Sequence, residues 1–183
     1  MRKGDYVKKQ NLRRWFIIIF VISVFVILFV FLNAKTKVKV TQQMDDSITQ
    51  YIKDKYKDVY NENEKHKQFE AHKVYGAEKK YNIITVYVYS VYKEFNPATF
   101  EQSAGHALPA RIKLLKQKKH FKVISYTEPE EGTLYTNSVK RMFPKEYTRK
   151  VFQDTGNLSY LDHEIETKFR DWKRRLNENA DEE

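Results

Sequence analysis

The stretch "YGAEKKYNIITVYVYSVYKEF", residues 75–95, decides the fold. It carries five of the chain's thirteen tyrosines and almost no turn-forming residue after Gly76. Extended backbone sends successive side chains to opposite faces. Ile84, Val86, Val88 and Tyr92 therefore share one face, and Ile83, Thr85, Tyr87, Tyr89 and Val91 share the other. With both faces largely apolar, the segment predicts a central strand, one face of which packs on helices. The tyrosine face has two readings: core covered by a terminal segment, or an aromatic platform at a binding surface, where an apolar ring with a polar tip is well suited.

Working outward, the same two-residue period predicts four strands, at 69–77, 82–95, 108–116 and 120–127. The connection "KQKKH" between the last two is short and basic, as suits a hairpin tip in water. "NPATFEQSAGHALP", residues 96–109, holds two prolines and a glycine and reads as a loop. Before the strands, Met44, Ile48, Tyr51, Ile52, Val59 and Tyr60 recur at helical spacing behind Thr41 as a cap, with the helix ending near "NENEKHK". After the turn in "EPEEGTLY" come two helical stretches. The second has the stripe Leu158, Leu161, Ile165, Phe169, Trp172 and Leu176 opposite Lys168, Arg170, Lys173 and Arg174. Helix, about four antiparallel strands, then amphipathic helices make an α+β layer arrangement, expected with its helices on one face of the sheet. A cystatin-like wrap is the nearest architecture by analogy.

At the N-terminus, "FIIIFVISVFVILFVFL", residues 16–32, has Ser23 as its single polar member. A helix apolar on every side needs apolar surroundings on every side, which excludes a surface helix of a soluble domain. About 20 such residues at 1.5 Å each cross a bilayer core, so residues 16–34 are expected to be a transmembrane anchor. A cleaved signal peptide has a shorter apolar region and a small-residue exit, which "FLNAKTK" matches poorly. Arg2, Lys3, Lys8, Lys9, Arg13 and Arg14 precede the run, so residues 1–15 are expected in the cytoplasm and the rest outside. The expected order continues with a connector at 35–40, an extracytoplasmic domain at 41–178 and an acidic tail at 179–183.

Setting aside the six basic residues and Asp5 of residues 1–15 leaves 28 basic against 23 acidic side chains, so the net +10 of the whole chain falls to +5 for the exported part. A basic exported domain points to anionic lipid headgroups or wall polymers, or to a protein partner, rather than to nucleic acid. The chain has no cysteine, so no disulfide framework supports the domain.

Motifs for chemistry are weak. Ser90 and Lys93 spell S-x-x-K, but in a strand these positions face opposite sides, and the S-D-N and K-T-G companions are missing. His66, His72, His106, His120 and His163 are scattered singly, and "HEIET" lacks the second histidine of a zinc pair, so no metal or other cofactor is expected. His106 stands beside Gly105 in the expected loop, where function tends to concentrate. Glu128, Glu130 and Glu131 surround Pro129 and Gly132 and read as solvated turn residues. Tyr87, Tyr89 and His106 are the candidate partner surface.

"AHKVYGAEKK", "ITVYVYSVYKEF", "SAGHALPARI" and "FKVISYTEPEEGTLYTNSVKRMFPKEY" resemble an extracytoplasmic domain of Gram-positive bacteria. That domain occurs in the C-terminal part of BlaR1-like membrane metallopeptidases and in short stand-alone membrane-anchored proteins. The most specific part is P-x-x-G-x-x-Y followed by S-V-K-x-x-F-P, matched by Pro129, Gly132, Tyr135, Ser138, Val139, Lys140, Phe143 and Pro144. The peptidase's zinc helix is absent, so the resemblance implies the accessory domain alone. The expectation is a non-catalytic binding or regulatory module. The alternatives are a structural subunit of an envelope assembly, such as a conjugation or secretion complex, and a small envelope enzyme using His106 with a carboxylate.

Overall fold

A computed structural model of the chain describes residues 3–57, 59, 66–118 and 120–180, with the backbone alone at 3–14, 31 and 180. It divides into two units, residues 1–36 and 37–183.

The first unit is helix α1 (Lys3–Asn33). Every described side chain of its apolar run is exposed, Phe25 at 70% and Val24 at 46%. Ser23 Oγ donates to the carbonyl of Phe20 at 2.7 Å, so the one polar side chain of the run is satisfied by its own helix. Among the described residues no helix is long and apolar enough to cross a membrane. The described side chains of α1's apolar run are those of residues 15–30 and 32.

The second unit holds α2 (Gln42–Tyr56), a five-stranded sheet and three C-terminal helices. The strands β1 (Thr36–Val38), β2 (Lys67–Lys80), β3 (Ile83–Phe95), β4 (Gln102–Gln117) and β5 (His120–Thr127) lie side by side in chain order. β2 to β5 pair antiparallel throughout. A 3₁₀ turn at Gly132–Leu134 leads into α3 (Tyr135–Met142), α4 (Lys145–Asp154) and α5 (Ser159–Ala180).

β3 is the middle strand, as its two apolar faces require. Ile84, Val86, Val88 and Tyr92 pack with Met44, Ile48, Ile52 and Tyr56 of α2, whose spacing of four residues lines up one helix stripe. Tyr87, Tyr89, Val91 and Phe95 pack with Val139, Phe143, Tyr147, Val151, Leu161 and Ile165 of α3 to α5. The helices therefore cover both faces of the sheet, not one. With both faces of β3 apolar, a second layer was needed, and the C-terminal stripe supplies it.

One residue in β2 redirects that strand. Val74 pairs with Val88 and Gly76 with Tyr87, leaving Tyr75 as a bulge. A bulge of one residue exchanges the faces of everything after it. Phe69 and Ala71 thus belong to the core under α3 to α5, whereas Ala77 belongs to the core under α2. Gly76 lies so near Tyr147 that a Cβ there would stand 2.3 Å from its hydroxyl oxygen.

Several boundaries differ from expectation. β1 forms inside the expected connector. β4 begins at Gln102, so the 96–109 loop shrinks to residues 96–101, closed by Asn96, whose Oδ1 accepts the N–H of Ala98 at 2.8 Å. Pro109 pairs with Tyr89 where β4 has no partner on its other side, since β5 joins it only from Arg111 onward. At such a local edge a missing N–H removes no second ladder bond. Thr41 precedes α2 as expected, but through its carbonyl, which accepts from Met44 and Asp45 at 3.0 Å, and without a side-chain cap. α2 ends at Tyr56, and Val59 is exposed. Tyr60 and most of "NENEKHK" lie outside the described residues, as do residue 119 of the hairpin tip and the last three residues of the acidic tail.

Candidate functional site

Tyr87 and Tyr89 do not form a surface: they are 3% and 5% exposed. The Tyr87 ring lies 5.4 Å from both Phe143 and Tyr147, and its hydroxyl reaches Glu78 Oε2 at 3.3 Å. Burial, reinforced by Glu78, pushes this phenol up to about 12. Tyr89 donates to the carbonyl of Ala107 at 3.3 Å. The C-terminal helices are the terminal segment that covers this face.

His106 is not in a loop. It sits in β4 opposite Tyr92, stacked on that ring at 5.3 Å and 20°, with the Tyr56 ring 4.2 Å away. The half-buried imidazole is held below its usual range, first by burial and then by Lys55, against the opposing pull of Glu128. The structure brings it together with neither Tyr87 nor Tyr89, which point to the other face of the sheet.

What His106 joins is a polar, aromatic end of the α2 core. Tyr92 donates to the fully buried Glu94, and Tyr56 donates to Glu128, which also meets Lys55 Nζ at 3.4 Å. Burial and Glu128 together raise the Tyr56 phenol far above its ordinary value, so it stays a donor. Glu128 is thus half-buried and partnered, not a solvated turn residue, while the exposed Glu130 pairs with Arg141.

One step along the sheet lies a second network that single histidines and glutamates did not announce. The Glu70 carboxylate, 1% exposed, accepts from Thr49 Oγ1 at 2.7 Å and Ser90 Oγ at 2.9 Å, and His72 Nδ1 stands 3.1 Å away. His72 Nε2 meets Asp45 at 3.1 Å. Burial works against a charge on His72, but hydrogen bonds to Asp45 and Glu70 outweigh it and lift the imidazole to about 9. The network fastens α2 to β2 and β3 through an ionic hydrogen-bonded chain. Its one sequence signal is the E-A-H spacing of residues 70–72, which puts an acid and a base on one face of a strand. Ser90 belongs to this chain, whereas Lys93 pairs with Asp162 of α5 at 2.7 Å on the far face, so S-x-x-K holds no nucleophile and base together. With the His72 and Glu70 side chains 2% and 0% exposed, no substrate reaches either.

An accessible groove of about 540 Å³ lies at the other end of α2. Val38, Met44, Ile84 and Phe121 form its apolar floor, and Lys79, Lys116, Lys118 and His120 its rim. Lys79 and Lys116 reach the rim because β2 after its bulge and β4 both turn these positions toward α2. Among the described residues, no group of three or more histidines and carboxylates is arranged to hold a metal ion. No family model, no curated protein and no solved structure matches the chain.

Proposed function

We propose that this chain is a single-pass membrane protein whose extracytoplasmic α+β domain serves as a non-catalytic binding or regulatory module for a protein partner or an anionic envelope component. The observation that carries the reading is α1. The described side chains of its apolar run are all exposed, and its one polar side chain is bonded back to its own helix. Each large apolar side chain moved out of water contributes roughly 1.5–3 kcal/mol, whereas a bilayer interior offers no partner to an unsatisfied polar group. In the sequence the run is seventeen residues, at the lower end of what spans a hydrocarbon core, with six basic residues before it to set the orientation.

The remainder supports binding over catalysis. The most tightly connected titratable pair, Glu70 and His72, is enclosed in the α2 core, with side chains 0% and 2% exposed. The resemblance to a domain that accompanies a membrane peptidase, without the peptidase's zinc helix, agrees with an accessory role. The test is crosslinking in the native envelope followed by affinity capture through the C-terminal tail. A defined protein or wall polymer recovered with the wild-type chain supports the module. Turnover of an envelope substrate by the purified chain, lost in His106→Ala, refutes the non-catalytic reading.

A further inference from the structure

The domain's surface offers three features that could meet something outside it. The aromatic cluster of Phe100, Phe169 and Trp172 is half-buried, its rings in edge-on and tilted contact, and nothing shows what would cover it. The His106 ring is packed against Tyr56 and Tyr92, 4.2 and 5.3 Å away. The basic end around the α2 groove is different, because chain length and charge together say what it faces.

We infer that this end of the domain, made by the β2–β3 turn with Lys116, Lys118 and the start of β5, docks on the anionic lipid surface of the membrane that holds α1. The inference rests on the anchored reading above. Val38 lines the groove, and only five residues separate it from Leu32, the last apolar residue of the run. Six steps of extended chain reach about 20 Å at most. The thirteen residues of β3 span about 43 Å at 3.3 Å each, so within the domain the groove end that Val38 lines and the 96–101 loop are a full strand length apart.

The near end is basic and keeps its charge available. Lys79, Lys116, Lys118 and Lys122 are exposed. Among the described residues, no carboxylate forms an ion pair with Lys79, Lys116 or Lys118. The nearby acids are engaged elsewhere: Asp45 with His72, Asp46 with Gln42, and Glu78 with Tyr87. Tyr81, 65% exposed at φ 55°, projects from the β2–β3 tip with Lys80 Nζ 5.5 Å from its ring, the pairing of an amphipathic ring and a cation that suits a headgroup layer. Each lysine brought to an anionic surface shifts the docked population about fivefold, and three together on the order of a hundredfold.

The absence of native cysteine makes the test direct. Asn82→Cys at the near tip and Thr99→Cys at the far loop, each in the full chain, take a nitroxide and are reconstituted into vesicles of phosphatidylcholine alone or with phosphatidylglycerol. Resistance to alkaline extraction is scored first: release of the chain overturns the anchored reading and the docking with it. For chain that is retained, the expected result is a label at 82 that gains lipid contact only with phosphatidylglycerol. That contact should be lost in about 1 M salt, where screening acts within about 3 Å. Combining Lys79→Glu, Lys116→Glu and Lys118→Glu, all on exposed side chains, should lower the docked fraction on the order of a hundredfold with the melting temperature unchanged. A retained chain whose label at 82 reads the same in both lipids, or whose label at 99 responds in its place, overturns the docking alone.

Discussion

Replacing Tyr87 by alanine tests the layer arrangement at its most informative point. The ring is 3% exposed between Phe143 and Tyr147, both 5.4 Å away, so truncation leaves a cavity between β3 and the C-terminal helices. Large-to-small changes of buried aromatics cost about 3–5 kcal/mol. In a domain of this size each kcal/mol lowers the melting temperature by about 2–4 °C, so Tyr87→Ala should melt roughly 10 °C below wild type. Tyr87→Phe keeps the ring and removes only the hydrogen bond to Glu78, which at 3.3 Å is worth about 1.5 kcal/mol, the low end for a carboxylate acceptor. Thermal unfolding of the full chain in detergent, followed by near-ultraviolet circular dichroism, separates the two. If Tyr87→Ala melted within about 2 °C of wild type, Tyr87 would not be core, and the tyrosine face would return as a candidate surface.

The His72 network makes stability depend on pH. Because the folded imidazole titrates near 9, against about 6.5 unfolded, its contribution is complete below about pH 6.5 and is lost as pH rises through 9. The wild-type minus His72→Gln difference in denaturation midpoint should therefore shrink between pH 6.5 and 9.5, and a flat difference would contradict the charged pair. Asp45, held below its usual range by the hydrogen bond to His72, adds the opposite limb: its contribution is lost as pH falls through that lowered value. Glu70→Ala leaves buried donors from Thr49, Ser90 and His72 without their acceptor and should cost about 3–5 kcal/mol, read by urea unfolding. A Cβ on Gly105 would stand 2.6 Å from the backbone oxygen of Tyr92, which cannot swing aside as a side chain can. Gly105→Ala should accordingly loosen the start of the β3–β4 ladder, seen as faster amide exchange at Tyr92 and Ala107, with the Arg111–Gln117 pairing unchanged.

Much of the fold was legible because it was written in periodicity. β3 reads as central from its two apolar faces, and the stripe that runs from Leu158 into α5 packs as far as Trp172, while Leu176 is exposed. The expectation failed where a tertiary partner overrides local signals. Gly105 and Pro109 argue for a loop, yet both lie in β4, the proline at a local edge. The short β1 has too few residues to show a period. The Tyr75 bulge shifts the faces of β2 by one residue, which no two-residue pattern anticipates. The candidate residues fared differently, because burial and not residue type decides their role. Tyr87 and Tyr89 are covered by helices that share no pattern with them. His72 looked like a lone histidine until Asp45, twenty-seven positions earlier, met it across the helix–sheet interface.

The central claim, a membrane anchor carrying an exported domain, is tested most directly by labelling single cysteines in intact cells with a membrane-impermeant maleimide. Thr99→Cys, in the 96–101 loop, should label in intact cells, and Asp5→Cys, before the apolar run, only after permeabilisation. The reverse pattern, or recovery of the chain in the fraction released by alkaline carbonate, would contradict the account.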